Sequence, residues 1–399
     1  MKSLPSRRYA LAVLAAGTLL SGPAFALDGN AFLAALGQRY EASGGKLTAG
    51  EVTVDGSTII AKSARLEMTS PQSPSVVLSL GDVTFENVED LGNGGYRVAH
   101  MTMPELIFSQ DKTAFNLKDV KTDGMEIPPM GNDWTSTTIF YDKTTTGPMT
   151  ISMDGKTILS VAGSQAAMKR TDGGRGMFFD FTVDGMHMEP ATFADPASLP
   201  TIKALGIETI DAKAALSGQW DAESGVFTLN RYDIDAANIG TLKMEFAMTG
   251  YTGALHKTVQ DTQKAMRDNP DQQAGAQAAG LAMLGIAQQI NIGNILLRFE
   301  DAGITGRTLD YFGKSQGVSG EQFAGAIKGM VPMMLAQQGI QDPDNRLSTA
   351  VGNFLEKPKN ISIAFKPSQP TPVMSLVGTI SASPASILSL PGLSITAND

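Results

Sequence analysis

From Lys46 to about Thr252 the chain sets apolar residues against polar ones in short alternating runs, the period of strands with one buried face. In "EVTVDGSTII", Val52 and Val54 alternate with polar neighbours, and Asp55-Gly56 follows as a strong two-residue hairpin signal. "SVVLSLGDVTFENV" and "YRVAHMTMPELIF" flank Gly92-Asn93-Gly94-Gly95, a second hairpin candidate. "TISMDGKTILSVAG", "GMFFDFTVDGMHM", "KAALSGQWDAESGVFTLNRYDI" and "LKMEFAMTG" extend the series. Turn signals recur about every ten residues, the spacing of a meandering antiparallel sheet. Strands apolar on one side oblige such a sheet to cover that side.

Helical periodicity brackets this region. "LDGNAFLAALGQRYEASGG" predicts a short helix with Asp28 or Asn30 as cap. Its apolar face is Phe32, Leu33, Leu36 and Tyr40, and Gly44-Gly45 stop it. After Gly253, "ALHKTVQDTQKAMRDNPDQQAGAQAAGLAMLGIAQQI" predicts two helices with a break at Asn269-Pro270. "NIGNILLRFEDAGITGR" reads as strand, and Ser319 with Gln322 has the spacing of a capping box for the next helix. Asp342-Pro343 supplies a cap and a first-turn Pro for one more. "KNISIAFKP", "VMSLVGTI" and "LSITAND" read as strands, with Ser383-Pro384 opening a short helix. The expected fold is α+β and β-rich: a long antiparallel meandering sheet, able to curve into a groove, with C-terminal helices. The expected organisation is a signal peptide over 1–26, a β-rich domain with a short N-terminal helix over 27–252, and an α+β region over 253–399.

The first residues change the picture from fold to destination. Lys2, Arg7 and Arg8 precede an apolar run from Tyr9 to Leu20, and Ala24-Phe25-Ala26 has the small-x-small form of a cleavage site. The run is well short of the roughly 20 residues that span a bilayer as a helix. The reading is a cleaved export signal, cut near Ala26, and a periplasmic or secreted chain with no transmembrane segment once mature. Ser6-Arg7-Arg8-Tyr9-Ala10-Leu11 resembles the twin-arginine export signal at Ser6, Arg7, Arg8 and Leu11, but Ala10 and Ala12 depart from it, so the general secretory route is preferred.

Charge and composition narrow the partners. The formal net charge is −9, and loss of three cations without an acid makes it −12. An acidic exported chain is a poor nucleic-acid binder, since phosphates require clustered Lys and Arg. There is no Cys, which excludes disulfides, thiolate metal sites and thiol catalysis.

Candidate chemistry is sparse. "GKSQG" (313–317) fits the Gly-x-Ser-x-Gly elbow, but that site needs a His later in the chain, and His100, His187 and His256 all lie upstream. The expected reading is a loop ahead of the Ser319 cap. "SGGK" and "SQDK" match Ser-x-x-Lys without the companion elements of penicillin-recognising enzymes. Met186, His187, Met188 and Met177 could supply soft copper ligands, yet strand alternation puts His187 opposite Met186 and Met188. "VKTDGMEIPP" and "FTVDGMHMEP" share Asp-Gly-Met, read as two similar turns between strands rather than a duplicated unit. No cofactor is expected. Twenty Met residues are soft, adaptable apolar material. Phe323, Ile327, Met330 and Met334 share one helical face, kinked at Pro332, and are the candidate lining of a groove; plain core filling is the competing reading.

An export signal, a run of amphipathic hairpins and an α+β end together resemble the AsmA-type and related envelope proteins of Gram-negative bacteria. The likeness is of pattern over Lys46–Thr252, without a diagnostic motif, so no functional residue is transferred. It implies a curved sheet with an apolar inner face, suited to lipid contact or envelope maintenance. Those proteins are commonly membrane-anchored, whereas this chain is expected to be released. The leading expectation is a non-enzymatic periplasmic protein that binds an apolar, lipid-like ligand or an envelope partner. The alternatives are an exported hydrolase with a carboxylate pair and a structural protein-interaction partner.

Overall fold

Asp28 starts the first helix, α1 (Gly29–Glu41), by accepting the N–H groups of Asn30 and Ala31 at 2.9 and 3.0 Å. The computed structural model describes residues 27–41, 44–70, 73–268, 272–342 and 344–399. The export segment, the Asn269-Pro270 break and Pro343 therefore lie outside the described residues.

The strands follow in chain order across one sheet. β1 (Gly45–Thr48) and β2 (Glu51–Asp55) lie end to end along β3 (Thr58–Ser70). β4 (Ser73–Asp90), β5 (Tyr96–Gln110) and β6 (Thr113–Ile127) add as hairpins. β7 (Tyr141–Thr146) and β8 (Met149–Met153), parted by Gly147-Pro148, share the position between β6 and β9 (Lys156–Arg170). β10 (Gly176–Met188) leads through α2 (Pro190–Phe193) and α3 (Leu199–Leu205) to β11 (Ile210–Asp221), β12 (Val226–Ala236) and β13 (Gly240–Thr249). α4 (Gly253–Asp268) and α5 (Gln272–Ala287) are inserted before β14 (Asn291–Asp301), which pairs directly with β13. α6 (Ile304–Ser315), α7 (Gly320–Gln337) and α8 (Arg346–Glu356) precede β15 (Asn360–Phe365) and β16 (Thr371–Pro372), both beside β14. α9 (Val373–Ala382) and a 3-10 turn over Pro384–Ser389 lead to β17 (Leu393–Ala397) on β15.

Among the described residues all 17 strands belong to this sheet and every pairing is antiparallel. Strand makes up close to half of the described residues, about twice the usual share. The fold is α+β and β-rich, with its helices mostly C-terminal. Two turns explain the meander: Gly56 and the Asp154-Gly155 pair take the left-handed conformation that tight hairpins require. A twisted sheet this wide curls rather than staying flat.

Three local expectations are corrected. "GITGR" begins α6 rather than ending a strand, because Asp301 accepts the N–H groups of Gly303 and Thr305 at 2.7 and 2.9 Å and turns the chain into a helix. "GKSQG" is not wholly a loop: Gly313 to Ser315 close α6, and the Ser315 hydroxyl donates to the Phe312 carbonyl at 2.7 Å. "VMSLVGTI" is α9, not strand. Its run suits a strand by propensity, but Leu376 and Ile380, four apart, meet one apolar surface only as a helix. The capping box at Ser319 and Gln322 forms as expected.

The Asp-Gly-Met segments are also not turns between strands; both lie inside strands. Gly124 in β6 and Gly185 in β10 have positive φ and interrupt the pleat. Ser63, Gly81, Asn87 and Asp119 do the same in β3, β4 and β6. Each interruption switches which parity faces the core. In β6 the inward residues are Phe115 and Leu117, then Val120 and Thr122, then Met125 and Ile127. In β5 the same switches occur opposite them: Tyr96 and Val98, Met101 and Met103, then Leu106 and Phe108. Without these kinks, strict alternation would turn half of each strand's apolar set toward the polar side.

Two clusters seal parts of the apolar face. α1 lays Phe32 and Leu36 over Ile59, Val83, Phe85, Tyr96 and Val98. Phe32 meets Phe85 and Tyr96 edge-on, with centroids 4.8 and 5.2 Å away. The second cluster joins Trp134, Phe140 and Trp220, the two indoles edge-on at 5.0 Å. Both Trp residues are buried, so neither offers a stacking platform for sugars.

Candidate functional site

Strand register shows how far the apolar face continues beyond those clusters. Phe181, Leu216 and Tyr232 stand opposite one another across β10, β11 and β12. Met244, Leu297, Ile363 and Ile395 form the corresponding row across β13, β14, β15 and β17. Residues one position away face the other side and are polar: Thr182 in β10, Asp233, Lys243, Arg298, Ser362 and Thr396. The alternation therefore makes one face greasy and the other ionic. Phe181, Leu297 and Ile363 remain about 40% exposed, so this strip is not buried by α1 or by the Trp cluster.

At its C-terminal end the strip enters a cleft of about 330 Å3. The floor is Ile295 of β14, Ile363 and Phe365 of β15, and Leu393 and Ile395 of β17. Leu347 of α8 and Leu376 and Ile380 of α9 form the wall. Ile387, Leu388 and Leu390, in and after the 3-10 turn, complete the lining. No polar side chain contributes. The cleft's size lies at the small end of known ligand sites, and its chemistry can accept hydrocarbon but offers nothing to orient a charge.

Polar contacts outside the cleft hold its cover. The Arg346 guanidinium, at the start of α8, donates to the carbonyls of Leu388 and Leu393. The Gln341 N–H donates to Ala385 at 3.3 Å. Asp342 accepts from the N–H of Leu347 and from both the N–H and hydroxyl of Ser348. Burial pushes its carboxyl up, but those donors outweigh it and hold the group below its ordinary value. These bonds fix α8 and the 3-10 turn against the sheet.

The polar face carries a second cavity of about 380 Å3 over β10 to β14. Its cations are matched: Lys213 with Asp235, Arg231 with Asp233 and Lys243 with Glu300, at 3.2, 2.6 and 2.8 Å. Lys243, and then Arg298, hold the Glu300 carboxyl below its ordinary range. Arg298 does the same to Asp399. A general acid requires the opposite displacement.

The sequence-derived candidates are placed elsewhere. Phe323 and Ile327 are half-buried on α7, where Phe323 stacks on Phe312 of α6 at 6.4 Å. Met330 and Met334 are exposed on the same helix, together with Met333. α7 packs between α6 and α8, and none of these four residues lines the apolar cleft. Six of the cleft's eleven lining residues stand in "KNISIAFKP", "VMSLVGTI" and "LSITAND" and the rest, Ile295 and Leu347 among them, in other segments, and no spacing announces their meeting.

The histidines resolve into pairs and a network. His100 and His187 lie on the polar face and each meets an Asp, Asp123 and Asp211, at 2.7 Å. That hydrogen bond raises the His187 pKa. Met186 and Met188 face the other side, so the Met/His set is not assembled. Among the described residues no cluster of three or more His, Asp or Glu could hold a metal ion. His256 packs on Trp220 at 5.1 Å and bonds Tyr251 and Gln260 through its two ring nitrogens, and burial lowers its pKa. Gln260 in turn bonds Thr137, tying α4 to the 3-10 turn over Trp134–Thr137.

Among the described residues no helix is long and apolar enough to cross a membrane. A family model described only as "Uncharacterized protein" matches residues 233–398, a span that contains the whole lining of the cleft. No curated protein matches the chain.

Proposed function

We propose that this chain is an exported periplasmic binding protein that holds an acyl-chain-like molecule against the apolar face of its sheet. One observation carries the reading: eleven apolar residues and no polar one line the cleft, and the half-exposed strip of Leu297 and Ile363 continues from it. Hydrocarbon gains by leaving water there, whereas a sugar, nucleotide or peptide would lose hydrogen bonds that nothing replaces. The pattern-level likeness to AsmA-type envelope proteins points to the same ligand class. The basic start, apolar run and Ala24-Phe25-Ala26 support export.

The test is lipid extraction and native mass spectrometry of protein taken from its own cells, followed by displacement of a fluorescent fatty acid. Co-purified lipid or saturable displacement is expected. A folded protein that carries no lipid and displaces none counts against the reading. Export is tested separately by fractionation and by an intact mass that begins at Leu27.

A second reading, an envelope assembly partner, draws on Met330, Met333 and Met334, exposed side by side on α7. Cross-linking from α7 to one protein in cells would favour it over lipid binding.

A further inference from the structure

α5 poses a problem that neither the cleft nor the sheet resolves. Its 16 residues include no charge, and from Ala278 to Ala287 no polar side chain occurs. A helix of that composition belongs in a core or in lipid. Here it packs on α4 and buries Ala279 and Ile286, leaving Leu281, Met283 and Leu284 73, 46 and 50% exposed. A Cβ added at Gly280 or Gly285 would meet nothing within 4 Å, so the surface around them is open as well. The α4–α5 insertion leaves the sheet between β13 and β14, outside the residues that line the cleft.

We propose that this face of α5 docks on a lipid bilayer, with the helix lying in the headgroup plane. Sixteen residues are too few to span the hydrocarbon, which fits an interfacial rather than a transmembrane placement. Leu281 and Leu284, three apart, form the open stripe and Met283 lies on its flank; together they expose roughly 300 Å2, against about 800 Å2 per partner in a stable protein complex. Gln277 and Gln288 bound the stripe one turn to either side, where uncharged amides can meet headgroups. A bilayer does not demand the area that a protein partner does. α5 has no charge of its own and the chain as a whole is acidic, so docking does not depend on anionic headgroups. The inference does not depend on the cleft holding a ligand.

Flotation of the whole protein with vesicles tests it, using phosphatidylcholine alone and phosphatidylcholine mixed with phosphatidylglycerol, each at low and high salt. The protein is expected to float with phosphatidylcholine alone, and no better with the anionic mixture. Replacing Leu281, Met283 and Leu284 with Ser is expected to lower binding about tenfold or more, as loss of that apolar burial requires. Met330→Ser with Met333→Ser on α7 is expected to leave binding unchanged. Should the triple variant fold poorly, Leu281→Trp gives an independent readout, an emission blue shift on phosphatidylcholine vesicles. Failure of the unaltered protein to float overturns the proposal, as does a triple variant that floats equally well. Binding that needs anionic lipid and vanishes in salt also overturns it. A concentration-dependent dimer abolished by the Ser substitutions would assign the face to a second copy and overturn it too.

Discussion

The cleft makes a quantitative prediction about chain length. At about 30 Å3 per methylene-sized group, the roughly 330 Å3 of the cleft takes about eleven groups. Each methylene removed from water contributes about 0.8 kcal/mol, so a filled cleft gains about 9 kcal/mol. Association costs about 4 kcal/mol or more, leaving at best about 5 kcal/mol, a sub-millimolar dissociation constant. For saturated fatty acids from six to fourteen carbons, measured by displacement of a fluorescent analogue, affinity should climb about fourfold per methylene. The climb should weaken once the chain outgrows the cleft and runs onto the half-exposed strip of Leu297. Ile363→Asp places a carboxylate on the cleft floor at a position already 43% exposed, so the fold should tolerate it while the climb is lost. Affinity independent of chain length, or an unchanged climb in Ile363→Asp, would refute the assignment.

Other outcomes follow from particular contacts. Phe32→Ala removes a fully buried ring that meets Phe85 and Tyr96 edge-on, and should lower urea stability by about 3–5 kcal/mol, whereas exposed Met334→Ala should change it by about 0.5 kcal/mol or less. Burial lowers the His256 pKa, so the unfolded chain binds that proton more tightly. Its contribution to stability is whole above the unfolded value near 6.5 and declines as the pH falls below it. Thermal melts of His256→Gln should therefore show a weaker loss than the unaltered protein between about pH 7.5 and 5.5. Gly124→Ala should destabilise by about 1–2 kcal/mol from its positive φ alone. It should lose more because the new Cβ meets the Asp142 carboxylate, and only that second part should be recovered by adding Asp142→Ala, read by urea titration.

Local chemistry decided the elements. Asp28, the Ser319–Gln322 box and the Asp55-Gly56 and Asp154-Gly155 turns act within a few residues, so their helices and hairpins were legible in sequence. The one-sided patterning that called for a meandering sheet was equally legible, because a strand's period of two is a property of the backbone. The Asp-Gly-Met segments misled for a related reason: the left-handed conformation that makes Asp-Gly a good turn also serves as a mid-strand kink, and only pairing on both sides distinguishes the two.

What the sequence could not supply was the meeting of distant pieces. α7 presents Met330 and Met334 on a regular apolar stripe, yet α6 and α8 take up its packing and leave those methionines outside the cleft. The cleft is instead assembled from β14, β15, β17, α8, α9 and a 3-10 turn, elements joined across a span of about a hundred residues by antiparallel register. The sequence by itself determined an amphipathic, cysteine-free sheet with an acidic surface and an export-like start. Tertiary structure alone decided which part of the apolar face stays open, because that depends on where the covering helices end rather than on the residues they leave uncovered.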